Sequence, residues 1–141
     1  MTGLGQGHTS RVPVLVLGKT LLVTLQGELR DGTAEQLQYD ITARIAHSPV
    51  TGVVIDISGV DIVDSFLGRV LAEIASSARL MAARTVLAGM RPAVAITLVE
   101  LGLALPGLVT ALNVERALAL LDHSPSTDPP PIRRAQHADL L

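Results

Sequence analysis

Cysteine is absent from this chain, which excludes disulfides, thiolate catalysis and cysteine-based metal sites. Tryptophan is absent too, and Tyr39 and Phe66 are the only other aromatics of the Phe, Tyr, Trp class. The core must therefore be built from Leu, Val, Ile and Ala. Lys19 is the only lysine, and the net charge is −2. Without a basic stripe or stacking aromatics, no nucleic-acid partner is expected. No apolar run reaches the roughly 18 residues of a membrane span, and the N-terminus lacks an apolar leader core. The expected compartment is the cytoplasm, with no membrane partner.

Charged residues make up 17% of the chain against 48% hydrophobic residues. That is too apolar for a disordered chain. It also leaves helix faces short of solvating side chains, which points to self-association or a permanent partner. A length of 141 residues suits one domain with a real core.

Signs of catalysis are missing. There is no Walker loop, no G-x-G-x-x-G, no H-E-x-x-H and no G-x-S-x-G. His8, His47, His123 and His137 are scattered and lack the partners that a catalytic or metal role needs. The chain is expected to be no enzyme and to carry no cofactor.

Hydrophobic patterning predicts an α/β fold in the order β-β-α-β-α-β-α-β-α. Val12–Leu17 and Leu21–Gln26 read as a hairpin around Gly18-Lys19-Thr20, with Pro13 placing the first strand at an edge or a strand start. Thr33-Ala34-Glu35-Gln36 matches a capping box, with Thr33 as N-cap. The helix that follows carries Ala34, Leu37, Ile41 and Ile45 at helical spacing and ends near His47. Gly52–Ile57 is short, β-branched and apolar on both faces, as a central parallel strand is. Phe66, Val70, Ile74, Ala78 and Met81 line one face of the next helix, with Leu67 and Leu71 beside it. Arg84–Gly89 reads as a strand, and Pro92 starts a third helix that Gly102 stops. Leu108–Ala111 reads as a last short strand, and Asn113 caps a helix over Val114–Leu121. Met1–Arg11 is expected to fray, Val12–Leu121 to form the domain, and Asp122–Leu141, Pro-, Ser- and charge-rich, to be a disordered tail.

The chain is organised around Asp61-Ile62-Val63-Asp64-Ser65-Phe66-Leu67-Gly68-Arg69, where the central strand hands over to a helix. Function in open α/β sheets collects at the carboxyl ends of strands. From spacing alone, Ser65 is either an N-cap or a modification site. A phosphate there would meet free backbone N–H groups and the positive end of the helix dipole. It would add roughly −1.5 to −2 charge beside Asp61 and Asp64. A third reading uses Asp56 or Asp61 as a Mg²⁺-dependent phosphoacceptor. That chemistry wants a lysine on a later strand, whereas Lys19 lies in the first hairpin.

The run Asp56-Ile57-Ser58-Gly59-Val60-Asp61-Ile62-Val63-Asp64-Ser65 resembles the signature of STAS domains, the fold of anti-sigma factor antagonists. A longer run, Gly89-Met90-Arg91-Pro92-Ala93-Val94-Ala95-Ile96-Thr97-Leu98-Val99-Glu100-Leu101-Gly102, is similar to RsbS-like stressosome scaffolds. So are Leu21-Leu22-Val23-Thr24 and Thr110-Ala111-Leu112-Asn113-Val114-Glu115. The resemblance implies a STAS-type mixed sheet of about five strands with four helices. It implies a phosphorylation site at Ser65, with Thr97 as a second candidate. It implies a non-catalytic scaffold and negative regulator that sequesters an RsbT-like GHKL serine kinase and releases it on phosphorylation. RsbR-like STAS paralogues with sensory N-domains and a resetting phosphatase are the other implied partners. Asp61, Asp64, Phe66 and Arg69 border the implied docking surface. The alternative is a simple anti-sigma factor antagonist that binds an anti-sigma factor kinase directly.

Overall fold

The computed structural model describes residues 11–100 and 108–122. β1 (Val14–Leu17) and β2 (Thr20–Gln26) form an antiparallel hairpin across the two-residue turn Gly18–Lys19. Then follow α1 (Asp31–His47), β3 (Gly52–Gly59), α2 (Ser65–Leu80), β4 (Arg84–Ala88), α3 (Pro92–Glu100), β5 (Leu108–Ala111) and α4 (Val114–Asp122). The strands lie in the order β1-β2-β3-β4-β5, and every pair after the hairpin is parallel. The predicted element order and mixed sheet are those observed. β3 lies at the centre, which explains its apolar character on both faces: Val53, Val54, Ile55 and Ile57 are all at 0% exposure.

Side chains alternate across the sheet, so each face has its own core. One face carries Leu21, Val23, Val53, Ile55 and Leu87, and the buried residues of α1, α2 and α3 join the same cluster. The other face carries Leu22, Val54, Val86 and Ala88, packed with α4 through Ala117. All buried hydrophobics among the described residues are Leu, Val, Ile or Ala, as the composition requires. Gly52 lets α4 approach closely, since a Cβ there would lie 2.7 Å from Leu121 Cδ1.

Several boundaries differ from the sequence expectation. The capping box at Thr33–Gln36 does not form. α1 starts at Asp31 with Arg30 as N-cap and no side-chain cap. The Ala34 N–H bonds the Arg30 carbonyl at 2.8 Å, so Asp31 and Gly32 already belong to the helix. Thr33 is then buried in the first turn, and Gln36 Nε2 donates to Asp40 Oδ1 at 2.9 Å rather than reaching back. β1 begins at Val14, not Val12, because Pro13 has no N–H for the ladder. β3 continues past Ile57 to Gly59, and β4 stops at Ala88, one residue before Gly89. α4 runs through Asp122, where the tail was expected to start. The Gly102 helix stop and the expected behaviour of Met1–Ser10 and His123–Leu141 lie outside the described residues.

Candidate functional site

The loop between β3 and α2 is pinned from below and open above. Val60 and Val63 are buried at 0% and 4% exposure, and the Val60 N–H closes a turn onto the Ile57 carbonyl at 3.0 Å. With those two residues turned inward, Asp61, Ile62, Asp64 and Ser65 are all exposed. Ile62 is 83% exposed, the most solvent-facing large apolar side chain of the loop.

Asp64, not Ser65, is the N-cap of α2. Its Oδ1 accepts from the Leu67 N–H at 2.9 Å, and its carbonyl accepts from Gly68 N–H at 3.1 Å. Ser65 therefore occupies the first helical position, with its hydroxyl not needed for capping. The first-turn N–H groups have no partner inside a helix, and Asp64 takes up that of Leu67. The N–H groups of Ser65 and Phe66 are left at the positive end of the helix dipole. This is a place where an added phosphate meets donors without disturbing the fold.

Long-range contacts hold the loop in position. Arg91, on the β4–α3 connection, donates from Nε to the Ser58 carbonyl at 3.1 Å. Its Nη1 pairs with Asp61 Oδ1 at 2.8 Å. Asp56 Oδ1 accepts from the Ser58 N–H at 2.9 Å, closing a local turn at the end of β3. Gly89, at φ +74°, packs against that turn, and a Cβ there would lie 2.9 Å from Ser58 Cβ. A cavity of about 280 Å³ opens beside the loop, lined by Gly27, Glu28, Leu29, Asp61, Ile62, Asp64 and Leu67. It brings the β2–α1 connection against the β3–α2 loop.

Of the residues singled out from sequence, Asp61, Asp64 and Ser65 share this one exposed loop. Phe66 is half-buried and packs on the main core, whereas Arg69 is exposed on α2. Thr97 lies on α3, where its hydroxyl donates to the Ala93 carbonyl at 3.0 Å. Lys19 is at the opposite end of the sheet, its carbonyl accepting from Thr51 and Gly52 where β3 begins. Among the described residues, no group of three or more His, Cys, Asp or Glu is placed to hold a metal. The lysine that the phosphoacceptor reading wants is therefore not at this end of the sheet. Sequence reasoning missed Glu28, Leu29, Ile62 and Arg91 as parts of the site. An isoleucine inside an acidic turn was the one signal available for Ile62.

Comparison with known proteins decides what kind of fold carries this loop. The family model for the STAS domain matches residues 11–117. The chain belongs to the STAS domain family. Its STAS fold is similar to a Ser-to-Glu variant of RsbS from Moorella thermoacetica, at 42% identity and a TM-score of 0.71. That match covers 80% of this chain and 96% of that one. A second structure, described as the molecular architecture of the stressosome, a signal integration and transduction hub, matches at 38% identity and a TM-score of 0.66. There, 78% of this chain and 96% of that one are covered. The RsbT co-antagonist protein RsbRC of Bacillus subtilis is 31% identical over 108 residues, 76% of this chain. This STAS chain spans only 38% of that relative's length. Likeness to the anti-sigma factor antagonist SpoIIAA, at 18% identity, is one of fold alone. No helix among the described residues is long and apolar enough to cross a membrane.

Proposed function

We propose that this STAS domain is a non-catalytic stressosome scaffold that holds an RsbT-like serine kinase and releases it when Ser65 is phosphorylated. One observation carries the reading. Ser65 is exposed at the first position of α2, while Asp64 supplies the cap, in a chain 42% identical to an RsbS. In the proposed step, Ser65 Oγ attacks the γ-phosphorus of the kinase's ATP. The new P–O bond forms as the bond to the bridging oxygen breaks, ADP leaves, and the hydroxyl proton passes to a base on the kinase.

The consequence is electrostatic. The phosphate is accommodated by the Ser65 and Phe66 N–H groups, so the domain stays folded. Its charge joins Asp61, Asp64 and Glu28 on one exposed surface. A kinase whose nucleotide phosphates face that surface is repelled. A 100-fold rise in dissociation constant needs about 2.7 kcal/mol. In this reading Asp61, Asp64, Phe66 and Arg69 border the contact, and Ile62 adds its exposed apolar side chain. Thr97 stands as a second candidate site, and modification there requires its bond to Ala93 to break. The proposed companions are further STAS chains, including RsbR-like paralogues with sensory domains, and a phosphatase that resets Ser65, all in the cytoplasm.

The test is binding of the RsbT-type kinase of the source organism to Ser65→Ala and Ser65→Asp. The Ala variant is expected to bind as wild type, and the Asp variant about 100-fold more weakly. Equal retention by both would sink the reading and leave Ser65 a helix residue with no switching role.

A further inference from the structure

Ser65 and the loop before it are held by two separate devices. Asp64 caps α2 from within the loop, so the backbone of Ser65 is set by the helix that it begins. The stretch from Ser58 to Asp61 is set from outside, by a side chain 33 residues on from Ser58. Arg91 Nε donates to the Ser58 carbonyl at 3.1 Å, and its Nη1 meets Asp61 Oδ1 at 2.8 Å. One guanidinium thus grips the loop on both sides of the buried Val60. A planar guanidinium can do this because its donors are fixed in a fork, whereas an ammonium is a single point of charge.

Arg91 is itself moored by its backbone. Its carbonyl accepts from the N–H groups of Val94 and Ala95, both at 3.0 Å, so it begins α3. Pro92 follows, and a proline disfavours the helical region for the residue before it. Two residues back, the Gly89 N–H donates to the Ala111 carbonyl at 3.1 Å, which ties the connection to β5. The guanidinium is therefore a fixed point against which the loop is set. Its share in holding the fold is small. The two side chains of the ion pair are 56% and 71% exposed, and pairs as exposed as this contribute little to stability. Val60 and Val63 already hold the floor of the loop in the core. What Arg91 adds is the placement of the exposed rim, Asp61 and the neighbouring Ile62.

We propose that Arg91 is a positioning residue for phosphorylation of Ser65. It holds Asp61 and Ile62 in the arrangement on which the kinase docks, and it does not itself meet the reacting atoms. That role rests on the proposed switch at Ser65 and adds to it a determinant of substrate recognition. The labour is divided. Ser65 is set by the Asp64 cap and reacts normally once the kinase is in place, whereas loss of the clamp weakens docking. The kinase accordingly recognises a folded surface assembled from two connections, β3–α2 and β4–α3, rather than the linear run around Ser65.

The test is the initial rate of phosphoryl transfer from ATP to Ser65 Oγ, with ADP leaving, catalysed by the RsbT-type kinase of the source organism. The full chain is the varied substrate at saturating ATP. Arg91→Gln removes the charge and the fork, and is expected to raise KM about tenfold, as loss of one charge-assisted bond does. Its kcat is expected to stay within about twofold of wild type, and its denaturation midpoint to be unchanged. Arg91→Lys keeps a charge for Asp61 without the fork and should give an intermediate KM. In an Asp61→Asn background, where the clamp has already lost one of its two points, Arg91→Gln should add less than about threefold. A KM for Arg91→Gln within about twofold of wild type would overturn the role. So would a fall in kcat at unchanged KM, or a KM rise matched by a lowered midpoint. The full tenfold loss persisting beside Asp61→Asn would make Arg91 a direct contact of the kinase and overturn positioning. Equal phosphorylation of wild type and Arg91→Gln at Ser65 overturns the positioning role alone. A wild type that the kinase does not phosphorylate at Ser65 overturns the switch, and this role with it.

Discussion

Two βα junctions lie side by side at the carboxyl end of the sheet, β2 into α1 and β3 into α2, and they are built by different means. The β3–α2 junction is over-determined. Two buried valines anchor it, Asp64 caps the helix, Arg91 ties Asp61 and Ser58 to the next connection, and Ser65 is left exposed. The β2–α1 junction has no side-chain cap. Its helix is held by burial of Thr33, Ala34, Leu37, Ile41 and Ile45. The same topology thus gives one junction a capped, ion-paired framework and leaves the start of the other helix without a side-chain cap. A rigid start suits a switch, because a phosphate must arrive at fixed N–H groups to be carried without unfolding.

The largest effect should come from removing packing from the helix that no side chain caps. Leu37 is 1% exposed at the centre of the α1 face. Leu37→Ala is expected to cost about 2–5 kcal/mol, read as a lower chemical-denaturation midpoint with an unchanged slope. A loss below about 1 kcal/mol would show that α1 does not depend on this face. The comparison also predicts that kinase binding by whatever remains folded is unaltered, since Leu37 is buried and lines no part of the cavity beside the loop.

Removing the cap from the other junction should cost less stability but reach the function. Asp64→Ala frees the Leu67 N–H and is expected to lower stability by about 1 kcal/mol. Asp64→Asn retains an acceptor and should recover most of that loss. Kinase binding separates two roles for Asp64. If Asn restores stability and binding together, the residue acts through the geometry of α2. If it restores stability alone, the carboxylate charge contacts the kinase.

Much of this contrast was legible in the sequence, for reasons that are local. The β-branched run at Gly52–Ile57 fixed a central strand because only burial on both faces tolerates it. The 3.6-residue spacing of Phe66, Val70, Ile74, Ala78 and Met81 did the same for α2, but the buried face is centred on Val70, Ile74 and Ala78 with Leu67 and Leu71, while Phe66 is half-buried and Met81 is the half-buried C-cap. Asn113 caps α4 as expected, accepting from Arg116 N–H at 2.8 Å. What failed was choice between neighbours. Thr33 and Gln36 had the right chemistry for a capping box, but tertiary burial pulled Thr33 inside the helix. Asp64 and Ser65 are both good caps, and spacing could not say that the aspartate wins. What was invisible was contact over distance. Arg91 reaches Ser58 across 33 residues, and the cavity joins two loops that no periodicity brings together.

The weaker junction can also be given what it lacks. Arg30 is an exposed N-cap with φ −89° and ψ 159°, the extended conformation that capping residues adopt. Its side chain accepts nothing from the first turn, and its positive charge sits at the positive end of the α1 dipole. Arg30→Ser supplies an oxygen that can accept from the Thr33 N–H and removes the unfavourable charge. A gain of about 0.5–1 kcal/mol is expected, read as a rise in denaturation midpoint. Placed in the Leu37→Ala background, the same substitution should give the same gain, since the two sites lie about two turns apart on the helix. No gain in either background would mean that the first turn of α1 is already satisfied by water.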